Sequence, residues 1–115
     1  MATVPLRLWD TTQLTGSAAT YYTSPALTKT ILKKVTVTNS DLTTPYTFTL
    51  YLVKVGGSAS SSNIIVNTQT VAPGQCYEVF EVEGQTMNAG DFLQALASTT
   101  AELVFAGSGI QIVGS

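Results

Sequence analysis

Tyr46-Thr47-Phe48-Thr49-Leu50-Tyr51-Leu52-Val53 is the stretch that decides the fold class. Tyr46, Phe48, Leu50 and Leu52 share one parity, and Thr47, Thr49, Tyr51 and Val53 share the other. A period of two is the mark of a β-strand with one face on a core, since successive side chains point to opposite sides. The second parity is not strongly polar, which makes Tyr51 and Val53 candidates for contact with a partner or with the N-terminal segment.

The same pattern extends in both directions. Thr30–Asn39 sets Ile31, Val35 and Val37 against Thr36 and Thr38, with Lys33 breaking the apolar parity. A β-bulge, or a lysine that snorkels at the sheet rim, accounts for that break. Asn39-Ser40-Asp41 reads as the closing turn. Val55-Gly56-Gly57-Ser58-Ala59-Ser60-Ser61-Ser62 is a flexible loop by composition. Ile64–Val71 is a further strand, Ala72-Pro73-Gly74 a tight turn, and Cys76–Val82 another strand with Tyr77 and Val79 opposite Cys76, Phe80 and Val82. After the turn Asn88-Ala89-Gly90-Asp91, Phe92–Ala97 and Ala101–Ala106 are expected to pair across Ser98-Thr99-Thr100. Ile110–Val113 either prolongs the last strand past a Gly107/Gly109 bulge or stands alone. Ala and Leu in Asp91–Val104 favour a helix, but Gly90 and the Ser-Thr-Thr break oppose it.

The chain is therefore expected to be all-β, an antiparallel β-sandwich of seven to nine short strands, wired as a jelly-roll or in an immunoglobulin-like way. The absence of a Cys…Trp…Cys pattern excludes a true antibody-type domain. With 115 residues it is long enough for one core without staples. Residues 1–20 are expected to form an N-terminal arm and residues 21–115 the sandwich domain. In the arm Val4, Leu6 and Leu8 alternate with Pro5, Arg7 and Trp9, which suggests a short strand, and Pro5 belongs at an edge or a strand start. Pro5, Leu6, Leu8 and Trp9 are candidates for docking on a partner by strand addition.

Composition removes most function classes. The chain has no His and a single Cys, so no histidine is present to activate a nucleophile and no disulfide can form within it. Cys76 is expected to pack as a small buried hydrophobe. Glu78, Glu81 and Glu83 are the one carboxylate cluster. Glu81 and Glu83 would lie roughly 7 Å apart on one strand face, within glycosidase range, yet alternating Glu more commonly solvates a strand edge. Calcium would need an Asp-rich loop that the sequence lacks. Gly56-Gly57-Ser58 and Gly107-Ser108-Gly109 are turns, lacking the helix and Lys of a phosphate loop. No enzyme activity, cofactor or metal is expected.

A net charge of −2 with only five basic residues argues against nucleic acid as a partner, and no apolar run is long enough to span a membrane. The N-terminus lacks the pattern of a signal peptide, which points to synthesis in a reducing cytoplasm. Charged residues make up 10% of the chain, against about 25% in an ordinary domain. Threonine fills much of the gap. A surface of hydroxyls suits packing against other protein. Trp9, Tyr21 and Tyr22 are the aromatic set that would stack on a sugar, although packing on their own sheet is the commoner role.

One succession of segments carries a resemblance. It runs Tyr22-Thr23-Ser24-Pro25, Thr30–Asn39, Phe48–Val53 with Gly56-Gly57-Ser58, Val71-Ala-Pro-Gly-Gln75, Gly84-Gln85, Met87-Asn88-Ala89-Gly90-Asp91 and Ser108-Gly109-Ile110. Over residues 21–113 this resembles small β-sandwich structural proteins of tailed-bacteriophage virions. The resemblance implies a non-enzymatic virion protein, best matched to a capsid decoration or cement protein that bridges capsomers. Its partners would be the major capsid protein or other virion proteins, and it would form a homo-oligomer, dimer or trimer. It would be made in the host bacterial cytoplasm and located in the virion. The alternatives are a tail, baseplate or fibre component, or a carbohydrate- or receptor-binding module. Residues 1–20 depart from the shared pattern.

Overall fold

A computed structural model describes residues 2–99 and 102–114. These residues form nine strands and no helix: β1 (Ala2–Gln13), β2 (Ala19–Thr23), β3 (Thr28–Asn39), β4 (Tyr46–Val53), β5 (Ile64–Val71), β6 (Cys76–Glu78), β7 (Thr86–Met87), β8 (Phe92–Ala97) and β9 (Leu103–Val113). Sheet A has the order β1-β9-β3-β6, with β7 also pairing on β3, and sheet B has the order β2-β8-β4-β5. Every pairing is antiparallel.

The wiring is that of a jelly-roll. β4 pairs with β5, β3 with β6, β2 with β8 and β1 with β9, so the chain is one long hairpin, folded at the β4–β5 loop and rolled into two layers. Between the two candidate topologies, this nesting selects the jelly-roll. The core lies between the sheets. Leu32, Val35, Val37, Leu103 and Phe105 from sheet A meet Phe48, Leu50, Val66, Leu93 and Ala95 from sheet B.

β4 realises the alternation that its sequence announces. Phe48 and Leu50 are fully buried, and Tyr46 and Leu52 pack against the same core. The expected interruption at Lys33 is a register shift between Leu32 and Lys34 in the pairing of β3 with β9. β9 runs unbroken through Gly107 and Gly109, so Ile110–Val113 prolongs it.

Four expectations are corrected. Residues 2–13 are a strand of the sandwich, paired with β9 from Ala2 to Gln13, and Leu14 after them is fully buried. The expected arm is thus part of the fold, because glycines in β9 leave room for its large side chains. Residues 19–23, divided by the expected boundary between arm and sandwich, form one strand, β2, at the edge of sheet B. The strand expected over Cys76–Val82 stops at Glu78, where Val82 N–H bonds back to Val79 C=O and turns the chain. β8 and β9, expected to pair with each other, lie in different sheets, β8 between β2 and β4, β9 between β1 and β3. The last residue of the expected turn, Thr100, and the first of the expected strand, Ala101, lie outside the described residues.

Candidate interaction surfaces

The six residues expected at an interface fall on two separate surfaces. Pro5, Leu6, Leu8 and Trp9 belong to β1 at the edge of sheet A, while Tyr51 and Val53 belong to β4 inside sheet B. Pro5 is exposed opposite Ile110, and Leu6 is half-buried opposite Gly109. Leu8 is half-buried and packs on the core.

Trp9 is not a surface residue. It is 8% exposed, with its ring centroid 4.8 Å from that of Phe105 and 6.4 Å from that of Tyr22. A register shift in β1 between Arg7 and Trp9 turns the indole inward, and Gly107 opposite supplies the space. Tyr22 is buried with it and Tyr21 packs edge-on against Phe105, centroids 5.2 Å apart. The aromatic set weighed for sugar stacking therefore packs on its own sandwich, the commoner role expected of it.

Val53 is also withdrawn from the surface. It does point away from the main core, but it is 1% exposed because the β4–β5 loop folds back and lays Gly57 against its side chain. Tyr51 remains available, half-buried on the outer side of sheet B opposite Gln94.

Cys76 is exposed, against the expectation of burial. β6 is an edge strand of three residues in which Tyr77 takes the inward place, 5.8 Å from the Phe48 ring. Cys76 and Glu78 then share the outer side, opposite Thr38 and Thr36. Beyond the strand Glu81 and Glu83 turn to different partners, and Glu83 lies within hydrogen-bonding reach of Glu78. Glu81 accepts a 2.7 Å hydrogen bond from the Tyr77 hydroxyl, and Glu83 Oε2 accepts one from Val35 N–H at 3.1 Å. Burial, and then the Glu81 carboxylate, push the Tyr77 hydroxyl up to about 12. Glu78 stays below its ordinary range chiefly because Lys34 Nζ bonds it at 3.1 Å.

The outer face of sheet A holds a shallow groove of about 190 Å³, lined by Arg7, Lys34, Thr36, Ala106, Gly107 and Ser108. Both cations at its rim already face carboxylates, Arg7 with Asp10 at 3.7 Å and Lys34 with Glu78. These pairs are largely solvated and add little stability. Among the described residues no cluster of His, Cys, Asp and Glu is able to hold a metal ion. Exposed apolar side chains that sequence reasoning missed include Leu42, 81% exposed in the β3–β4 turn, and Phe80, 64% exposed after β6 and 5.9 Å from the Tyr77 ring. The early end of β6 exposes Phe80, and the sequence carries no local signal for it beyond the neighbouring Glu81.

No protein-family model matches the chain, and no curated protein does. Several solved structures do. A chain of the Bacillus endospore appendages, described as a novel family of disulfide-linked pili, is similar over 98% of this chain and 89% of its own, with 20% identity and a TM-score of 0.54. A chain of infectious bursal disease virus, Gt strain, is similar over 98% of this chain and 33% of its own, with 13% identity and a TM-score of 0.52. This chain spans about a third of that viral chain. The likeness is one of fold. It supports the all-β sandwich described above.

Proposed function

We propose that this chain is a structural component of an assembled particle, and in particular a bacteriophage virion protein of the capsid decoration or cement type, seated on the major capsid protein. The observation that carries the reading is β1, a twelve-residue strand left at the open edge of sheet A. An edge of that length offers a partner a row of backbone donors and acceptors. Pro5, the two register shifts of β1 and the Arg7–Asp10 pair restrict which strand can add there. A cement works by contact area repeated around a shell, so modest affinity at each site becomes large collective resistance.

Because β1 carries Trp9 into the core, the edge is tested by point changes and not by deletion. Thr3→Lys and Thr11→Lys, at exposed positions of β1, should leave the fold intact and abolish incorporation into particles. Copy number on purified particles separates the roles: hundreds of copies fit a head protein, and a few to dozens fit a tail or fibre component. Absence of the chain from particles overturns the reading.

A second reading, a fibre subunit, draws on exposed Cys76 at edge strand β6. One thiol closes one interchain disulfide, so these residues alone give a linked pair and not a covalent chain. A dimer band on a non-reducing gel that Cys76→Ser removes would support it.

A further inference from the structure

The two sheets differ sharply in charge. Every Lys, Arg, Asp and Glu of the chain lies in the strands of sheet A or in loops, and the strands of sheet B contain none. β8 fixes which side chains of sheet B face outward: Leu93, Ala95 and Ala97 are buried in the core, so Phe92, Gln94 and Leu96 point away from it. Pairing of β8 with β4 and β2 sets Tyr51 beside Gln94, and Gln94 Nε2 donates to Thr20 Oγ1 at 2.9 Å. With Thr47 at one end, the outer face is a surface of aromatic, aliphatic, amide and hydroxyl groups. Lys54 and Asp91 stand just beyond the ends of β4 and β8, as a polar rim.

We infer that this face packs against the same face of a second copy of the chain across a two-fold axis. The composition is that of an interface centre, depleted of charge and carrying Tyr and Phe. In an isologous contact each residue meets its own copy or a near neighbour, so any charge near the axis opposes a like charge. Sheet B is the layer from which all such charges are missing. The outer face of sheet A, with Arg7, Lys29, Lys34 and Glu78, is not. The area suffices. Four strands about 4.8 Å apart and roughly 24 Å long give about 450 Å² in projection, so with side-chain relief two copies bury on the order of 1,000–1,300 Å².

The inference deepens the assembly reading, and it is tested on the isolated chain. In sedimentation across a dilution series the chain should be dimeric. Gln94→Arg and Gln94→Glu should each raise the dissociation constant by about 100-fold or more, since like charges then face each other in a dry contact. Mixing the two variants should restore the dimer, a result that misfolding cannot mimic. Thr36→Arg, on the outer face of sheet A, should leave the dimer unchanged. If the Gln94 variants fail to fold by circular dichroism, Tyr51→Arg with Tyr51→Glu serves as the charge-swap pair. A chain that is monomeric throughout, dimers that survive both charges, or oligosaccharide binding by a monomer that Tyr51→Ala removes would overturn the inference. A monomer abundant on particles would end the dimer and leave the particle role standing. A dimer absent from particles would do the reverse.

Discussion

Gly107 of β9 lies against the indole of Trp9 on β1 so closely that a methyl group built on Gly107 would collide with the ring. The relationship explains how an edge strand delivers the largest side chain of the protein into the core. It also explains why β1 belongs to the sandwich and does not hang from it: Trp9 packs on Phe105 and Tyr22, one from each sheet.

Gly107→Ala should therefore displace Trp9. The expected loss is about 1–3 kcal/mol of stability, typical of overpacking a dense core. Urea unfolding gives the magnitude, and the emission maximum of the single Trp, shifted to the red in the folded variant, reports the displacement. Unchanged stability and emission would contradict the contact.

A second link between the sheets is polar. Gln111 Nε2 donates to the Tyr22 hydroxyl at 2.7 Å, Tyr22 and Thr30 hydroxyls lie 2.8 Å apart, Thr30 and Ser24 hydroxyls 2.9 Å apart, and Ser24 Oγ donates to Thr28 C=O at 2.9 Å. Each hydroxyl has one proton, so the direction is fixed from the far end: Ser24 gives its proton to Thr28, Thr30 gives to Ser24, and Tyr22 gives to Thr30. Thr30→Val keeps the shape and breaks the chain in the middle. With Tyr22 and Ser24 left short of a partner, unfolding should cost about 1–3 kcal/mol less, read as a lower urea midpoint at unchanged slope.

Thr68 sits in β5 at φ 56°, where its pairing with β4 slips around Thr49. A β-branched residue is strained there, whereas Asn tolerates the left-handed region. Its N–H still bonds Thr49 Oγ1 at 3.2 Å, a contact that any side chain at position 68 preserves. Thr68→Asn should stabilise the protein by about 1 kcal/mol, seen as a raised Tm. A lowered Tm would show that the bulge needs threonine.

Tyr77 sets an alkaline limit. Its hydroxyl is pushed up to about 12 in the folded chain, from 10. Between those values the unfolded chain has released this proton and the folded chain has not, so ν_U is below ν_N and stability falls as pH rises. The contribution is complete below pH 10 and is lost through pH 12. Tyr77→Phe should flatten that part of the stability profile, and absorbance titration of the folded protein should show one tyrosine fewer ionising late. An equal slope in the variant would remove Tyr77 as the cause.

The alternation in Tyr46–Val53, the bulge at Lys33 and the turn-rich spacing were legible because they are local: side-chain parity and turn chemistry act over a few residues. From them the all-β sandwich follows, and so does the outward placement of Tyr51. What the residues alone left open is which strands meet. Ala2 pairs with Val113, and β8 and β9, adjacent in the chain, part into different layers. Trp9 and Val53 are hidden by Gly107 and by the Gly57 loop, which no local pattern ties to them. The rolled nesting of strands, the burial of those two side chains and the segregation of all charge away from one layer are decided by tertiary packing, because each depends on residues brought together from distant parts of the chain.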